Sequence, residues 1–140
     1  MTMVESPRRK ARETVLHALY AWEINEGDPD DVIDGLLKET SLSEKNVDFA
    51  RNYFGLVVKN IDWTDKIISS LATNWDINRI AELDRIILRM AMVELKYMPD
   101  IPVKVALNEA IELAKKYSTG ESPSFINGIL DNFLKNIENF

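Results

Sequence analysis

The chain has 140 residues, 46% hydrophobic and 29% charged, which is the composition of a folded protein with one domain or two small subdomains. The absence of cysteine excludes disulfides and thiolate chemistry, and a single histidine excludes a His-based metal cluster or a Ser-His-Asp triad. The formal net charge is −6, and no signal-peptide core or apolar run of about 20 residues is present, so we expect a cytoplasmic protein without a membrane span.

Positive charge is concentrated at the start of this acidic chain. The first twelve residues carry four cations (Arg8, Arg9, Lys10 and Arg12) against the single anion Glu5, whereas the remaining 128 carry 13 cations and 22 anions. Such asymmetry within a small protein indicates an anionic partner that binds at one place.

The first predicted helix runs from about Pro7 to Glu26, with Ser6 as its N-cap and Gly27 at its end. Its apolar face is formed by Ala11, Val15, Ala18 and Trp22. The cations occupy its first turns, where the helix dipole disfavours positive charge by about 0.3–1 kcal/mol each. The cluster is either a solvated helix end or a phosphate site, at which guanidinium groups on one side of the helix share an anion with free backbone amides.

Three further helices are predicted before the middle of the chain. Asp28 caps the second, which has Pro29 in its first turn, and Ser41 with Glu44 forms a possible capping box for the third. Asp62 starts the fourth.

The fifth predicted helix, from about Ile77 to Tyr97, is apolar on nearly every side and is therefore expected to be the central, buried helix. Its charged residues Arg85, Arg89 and Glu94 must reach an edge or find partners, because an unpaired buried charge is unfavourable.

Two helices complete the chain. Pro102 opens the sixth and Gly120 stops it, and Ser122 with Pro123 starts the last. The buried stripe of the last helix is expected to consist of Ile126, Ile129, Leu130, Phe133 and Ile137.

These elements predict an all-α fold, a seven-helix bundle made of two packed subdomains of three to four helices. The whole chain, residues 1–140, is expected to be one domain, with an N-terminal subdomain over about 1–61 and a C-terminal subdomain over about 62–140.

Phe125 falls about 100° from the centre of the last helix's buried stripe, as does Asn127 on the other side, while Gly128 lies nearly opposite. Phe125 is therefore expected to be partly exposed, where it either packs against a neighbouring helix or stacks on an unpaired base. Gly128 within a helix indicates that some group approaches the backbone closely, and another helix is one candidate for it.

Three stretches together resemble the NusB family of transcription antitermination factors. They are RRKARETVLHALYAWE (Arg8–Glu23), PVKVALNEAIELAKKY (Pro102–Tyr117) and SFINGILD (Ser124–Asp131), and the intervening LDRIILRMAMVEL (Leu83–Leu95) fits as well. The resemblance covers essentially the whole chain in order.

The resemblance implies a non-enzymatic protein without a cofactor. Its members bind the boxA element of nascent ribosomal RNA transcripts together with NusE, which is also a small-subunit ribosomal protein, and join an antitermination complex on RNA polymerase. Some members are homodimers and others monomers, so a homodimer is a possible state of this chain.

The resemblance also implies site residues. The expected RNA-binding residues are Arg8, Arg9, Lys10, Arg12, His17, Ser124, Phe125 and Asn127. Tyr20 and Asp84 match positions close to the NusE surface, and Glu121 matches an acidic position near the RNA. Ser124 stands where some relatives have Lys, and His17 stands where others have Gln.

Two alternatives remain from the sequence. A related helical domain accompanies ribosomal RNA cytosine methyltransferases, so the chain is alternatively an RNA-binding module of that kind. A third reading is a helical adaptor that binds only proteins, and it predicts that RNA never competes for the Arg8–Arg12 surface.

Overall fold

The computed structural model describes residues 6–72 and 80–140, and over these ranges the chain forms seven α-helices and no strand. The helices are α1 (Pro7–Asn25), α2 (Pro29–Lys38), α3 (Glu44–Lys59), α4 (Ile61–Leu71), α5 (Glu82–Tyr97), α6 (Val103–Tyr117) and α7 (Ser122–Lys135), and a short 3-10 turn (Ile137–Asn139) follows. The all-α class and the seven predicted helices are confirmed. The expectation that Ile137 belongs to the buried stripe of the last helix is wrong, because α7 ends at Lys135 and Ile137 lies partly exposed in the 3-10 turn. The chain divides between Lys59 and Asn60 into two compact units, with α1–α3 in the first and α4–α7 in the second.

The helix starts follow from short polar side chains that accept backbone N–H groups. The Ser6 hydroxyl accepts from the amide of Arg9 at 3.1 Å, as the sequence predicts. The capping box proposed for α3 is wrong by two residues, because α3 begins at Glu44 and the preceding Ser43, not Ser41, accepts from the amide of Asn46 at 3.4 Å.

Two predicted boundaries shift for local backbone reasons. α1 ends at Asn25, since Glu26 (φ 57°) and Gly27 (φ 94°) leave the helix through left-handed conformations. α5 begins at Glu82 because Ala81 is extended (ψ 137°), and the predicted helical start at 77–79 lies outside the described residues.

In the first unit, α1 packs against both α2 and α3, and α2 packs against α3. Its apolar core comprises Ala11, Val15, Leu16, Ala18, Leu19, Ile33, Leu37, Ala50, Tyr53, Phe54 and Val57. This core holds the start of α1 against α3, which places the cationic residues of α1 in contact with α3 side chains.

In the second unit, α5 contacts α4, α6 and α7, and every residue from Ile86 to Glu94 is buried. The prediction of a central helix buried on most faces is confirmed. Arg89, 9% exposed, donates from Nε and from a terminal nitrogen to the two carboxylate oxygens of Asp65 on α4, at 2.8 and 2.9 Å. This buried charge therefore has the partner that the sequence required.

Replacing Asp65 by Asn is expected to lower the free energy of unfolding by about 2 kcal/mol, because the Arg89 charge would lose its paired carboxylate. The effect falls below that of a fully buried pair because the Asp65 side chain is 31% exposed. Denaturant titration followed by circular dichroism measures it. The matched control is Asp131→Asn, which breaks an exposed pair with Lys135 and should change stability by less than about 0.5 kcal/mol. Equal losses in the two variants would contradict the prediction.

None of the helices in the described ranges is long and apolar enough to span a membrane.

Candidate functional site

The first turn of α1 carries cations and no acidic residue. Lys10 is exposed, and Arg8 and Arg9 are partly exposed, so positive charge is present at the surface beside the first amides of the helix. Positive charge there is unfavourable in the isolated helix, whereas an anion bound at the same place would be attracted by both the side chains and the amides.

Arg8 and Arg12 project to one side of α1, as expected, but that side faces α3. The Arg8 guanidinium lies 3.9 Å from the centre of the Phe49 ring, and its Nε donates to the side-chain oxygen of Asn46 at 3.0 Å. The Arg12 guanidinium is 5.3 Å from the same ring centre. Both distances are within the range of cation–π attraction, so one phenylalanine orients two of the four cations.

Arg12 is buried, with only 3% of its surface exposed. This burial differs from the exposed position that its charged neighbours in the sequence indicate for it. The signal was present in the helical spacing, because Leu16 and Leu19 follow at i+4 and i+7 and are both buried. Its assignment as an RNA contact stays a prediction, and its burial favours a role in holding the helix start against α3.

His17 and Tyr20 lie farther along α1 and are both exposed, Tyr20 by 39%. Ile24, one turn after Tyr20, is 54% exposed. Tyr20 and Ile24 therefore present an apolar strip at the surface of the first unit, which suits contact with another protein.

The second group of site residues lies at the start of α7. Phe125 is partly exposed, as its position on the helix predicts, and Ser124 and Asn127 are exposed. A neighbouring helix does not account for Gly128, because a Cβ built on this exposed glycine meets no described atom within 4 Å. The surface around Asn127 and Gly128 is thus open to a large ligand.

Phe125 lines a cavity of about 640 Å³. The other lining residues come from the start of α5 and from the α6–α7 corner: Ile80, Ala81, Asp84, Thr119, Gly120, Glu121, Ser122 and Ser124. An aromatic wall beside hydroxyl groups and a carboxylate suits a planar ring with hydrogen-bonding edges.

Asp84 is only 6% exposed, and its carboxylate accepts the hydroxyls of Ser118 at 2.5 Å and Ser122 at 2.9 Å. The sequence carries a signal for this burial, since Ile87, Leu88 and Ala91 follow at helical spacing and are buried. A direct contact between Asp84 and a partner protein stays a prediction, which the burial of its side chain does not favour.

The structure thus brings Asp84, Glu121, Ser124 and Phe125 around one cavity in the second unit. The cationic start of α1 belongs to the first unit. The hypothesis that one ligand contacts both groups stays a prediction. No cluster of three or more His, Asp or Glu side chains suited to a metal ion occurs in the part of the chain that the structure describes.

Comparisons with known proteins show which proteins this chain resembles. The model of the NusB family matches residues 9–135. The transcription antitermination protein NusB of Clostridium novyi is 41% identical over 132 residues, which cover 91% of this chain and 98% of that protein. The solved structure of T. maritima NusB superposes with a TM-score of 0.86 at 37% identity and covers 94% of this chain and 93% of that one.

A further solved structure contains the antitermination factors NusB and NusE in complex with dsRNA. It matches this chain with a TM-score of 0.84 at 24% identity and covers 92% of this chain and 96% of that one. At this identity the likeness concerns the fold.

Proposed function

The chain belongs to the NusB family, and from this premise we propose that it is a non-catalytic transcription antitermination factor that binds RNA together with NusE. Its RNA target is the boxA element of nascent ribosomal RNA transcripts, and the protein–RNA assembly acts within an antitermination complex on RNA polymerase. This role places the protein in the cytoplasm.

The proposal of RNA binding rests on the first turn of α1. Arg8, Arg9 and Lys10 lie there at the helix N-terminus, and the turn contains no acidic residue. Phosphate groups are the anions that such an arrangement binds best, because guanidinium and ammonium groups add to the positive end of the helix dipole. The overall net charge of −6 disfavours RNA elsewhere on the protein.

The cavity beside Phe125 supports a single-stranded target. Unpaired bases can be splayed out and stacked on an aromatic ring, whereas bases within a duplex cannot reach such a ring. A partly exposed phenylalanine beside the hydroxyl groups of Ser124 and Thr119 fits one base of a loop or single strand.

Two features support a protein partner. Tyr20 and Ile24 expose apolar surface on α1, and the acidic balance of the chain complements a basic protein such as a ribosomal protein. A solved NusB relative is found with NusE and dsRNA in one structure.

The proposal is tested by binding a fluorescent boxA-like strand, a scrambled strand and a duplex, each with and without NusE, over a salt series. We expect the boxA-like strand with NusE to bind most tightly. Replacing both Arg9 and Lys10 by Ala should reduce the dependence of log K on log[salt] by about 1.4, since each phosphate contact to a single strand contributes about 0.7.

The matched control is Lys59→Ala. Lys59 is a cation in the last turn of α3, about 20 Å along the helix from Asn46, which contacts Arg8. This variant should keep the wild-type salt dependence. Equal affinity for boxA and scrambled strands in the presence of NusE would refute the specific role, and failure of every RNA to bind would favour an adaptor that recognises proteins alone.

A further inference from the structure

The α6–α7 corner, residues 118–121, is joined to the buried helix α5 of the second unit by the carboxylate of Asp84. Asp84 sits in the first turn of α5, the helix whose next turns are buried on all sides. Thr119, Gly120 and Glu121 at the corner are all exposed, and Glu121 at the N-cap position of α7 makes no side-chain capping bond. A backbone hydrogen bond from the Ser122 amide to the Thr119 carbonyl, at 3.0 Å, closes the turn itself, and side-chain contacts connect it to α5.

The hydroxyl groups around Asp84 form a complete network. Ser118 and Ser122 each donate to a different oxygen of the Asp84 carboxylate, at 2.5 and 2.9 Å. The Thr119 and Ser122 hydroxyl oxygens are 3.0 Å apart, and those of Ser118 and Ser122 are 2.9 Å apart. The three hydroxyl protons serve three of these four contacts: Ser118 and Ser122 donate to Asp84, Thr119 donates to Ser122, and the Ser118–Ser122 contact is then a close approach of two oxygens without a proton between them. Asp84 acts only as an acceptor.

The network also reaches Phe125. Ser122 is 2% exposed and lies three residues before Phe125 in α7, so the two side chains share one side of the helix. Asp84, Ser122 and Phe125 line the same cavity. Fixing Ser122 on Asp84 therefore fixes the rotation of the first turn of α7, and with it the distance between the Phe125 ring and the α5 wall of the cavity.

We propose that Asp84 is a positioning residue for RNA binding, which holds Ser118 and Ser122 so that Phe125 faces a base. This inference rests on the proposed RNA-binding function and gives Asp84 a role different from a contact with NusE. The carboxylate acts by accepting hydrogen bonds, so its geometry and not its negative charge is what the RNA site requires.

The first experiment measures RNA affinity in the presence of NusE for Asp84→Ala and Asp84→Asn. Ala removes both acceptors and is expected to weaken binding about tenfold. Asn keeps one oxygen that accepts from Ser118, and its NH2 group can donate to Ser122. The Ser122 hydroxyl then donates to Thr119 instead of to residue 84. The RNA affinity of Asp84→Asn should therefore stay within about threefold of the wild-type value. Asp131→Ala removes an exposed carboxylate on α7, so it is the charge-matched control and should bind as the wild type does.

A double-mutant cycle separates positioning from a general loss of stability. Adding Asp84→Ala to a Phe125→Ala protein should weaken RNA binding no further, because the ring that Asp84 positions is already absent. In the free protein, the NMR signals of the Phe125 ring should shift in Asp84→Ala and stay near their wild-type values in Asp84→Asn. Ser118→Ala offers a milder variant if Asp84→Ala does not fold.

Three results would overturn the inference alone while RNA still binds the wild type. In the first, Asp84→Ala and Phe125→Ala each reduce RNA affinity by the same factor in the double mutant as they do alone. In the second, both Asp84 variants bind RNA more tightly than the wild type. In the third, the Asp84 variants lose NusE binding while Phe125 still contacts RNA. Absence of RNA binding by the wild type would instead overturn the proposed function together with this inference.

Discussion

Replacing Arg12 by Ala is expected to lower the free energy of unfolding by about 3 kcal/mol, although Arg12 belongs to the cationic cluster of α1. Its side chain is 3% exposed, so its removal leaves a cavity between α1 and α3. The variant also loses the attraction between the guanidinium and Phe49, which is stronger in a site shielded from water. Thermal and denaturant unfolding measured by circular dichroism give the change.

Lys10→Ala is the control for Arg12→Ala, because it removes an exposed cation from the same cluster. Lys10 lies two residues earlier and is exposed, so its replacement should change stability by less than about 0.5 kcal/mol while weakening RNA binding. Phe49→Leu should weaken the α1–α3 contact in part, because leucine keeps much of the volume but offers no ring to Arg8 or Arg12. An Arg12→Ala protein of wild-type stability with weakened RNA binding would show instead that Arg12 turns outward to the phosphate.

Replacing Phe125 by Leu is expected to weaken RNA binding about 5- to 150-fold, because stacking of a base on an aromatic ring contributes about 1–3 kcal/mol. Leucine keeps the apolar contacts that the partly buried ring makes within the second unit, so the free energy of unfolding should fall by less than about 1.5 kcal/mol. Titration of a labelled boxA-like strand in the presence of NusE measures the first effect, and denaturant unfolding the second.

Two control variants distinguish loss of stacking from loss of stability. Phe125→Tyr keeps an aromatic face and should bind RNA within a few-fold of the wild type. Phe133, which is fully buried on the same helix, serves as the interior control, and Phe133→Ala should lose about 3–5 kcal/mol of stability. If Phe125→Leu bound RNA normally and destabilised the protein as strongly as Phe133→Ala, the ring would be a core residue with no part in stacking.

The Arg8–Phe49–Asn46 contact explains how a flexible cation can contribute to an ordered binding surface. Stacking on the ring and a hydrogen bond to Asn46 restrict the guanidinium before any ligand arrives. Less side-chain entropy is then lost on binding, which raises affinity without a new contact. The same contact makes α3 part of the candidate site, although no residue of α3 stood out in the sequence.

The sequence predicted the helices well because their signals are local. Ser6 before Pro7, Asp28 before Pro29, and apolar residues at helical spacing all act within one or two turns. The partial exposure of Phe125 also followed from local geometry, since its angle from the buried stripe of α7 depends only on the helix pitch. Boundaries moved by a few residues where two candidates competed, as with Ser41 and Ser43.

Only the tertiary structure decided what each charged residue does. Arg12 and Lys10 have the same sign and lie two residues apart, yet one is buried and the other exposed because α3 covers one side of α1. Asp84 gained its hydroxyl partners from Ser118 and Ser122, which lie more than 30 residues later in the chain. Helical spacing fixes the direction in which a side chain leaves its helix, but the packing of distant helices determines whether it meets water, a ring or a hydroxyl group.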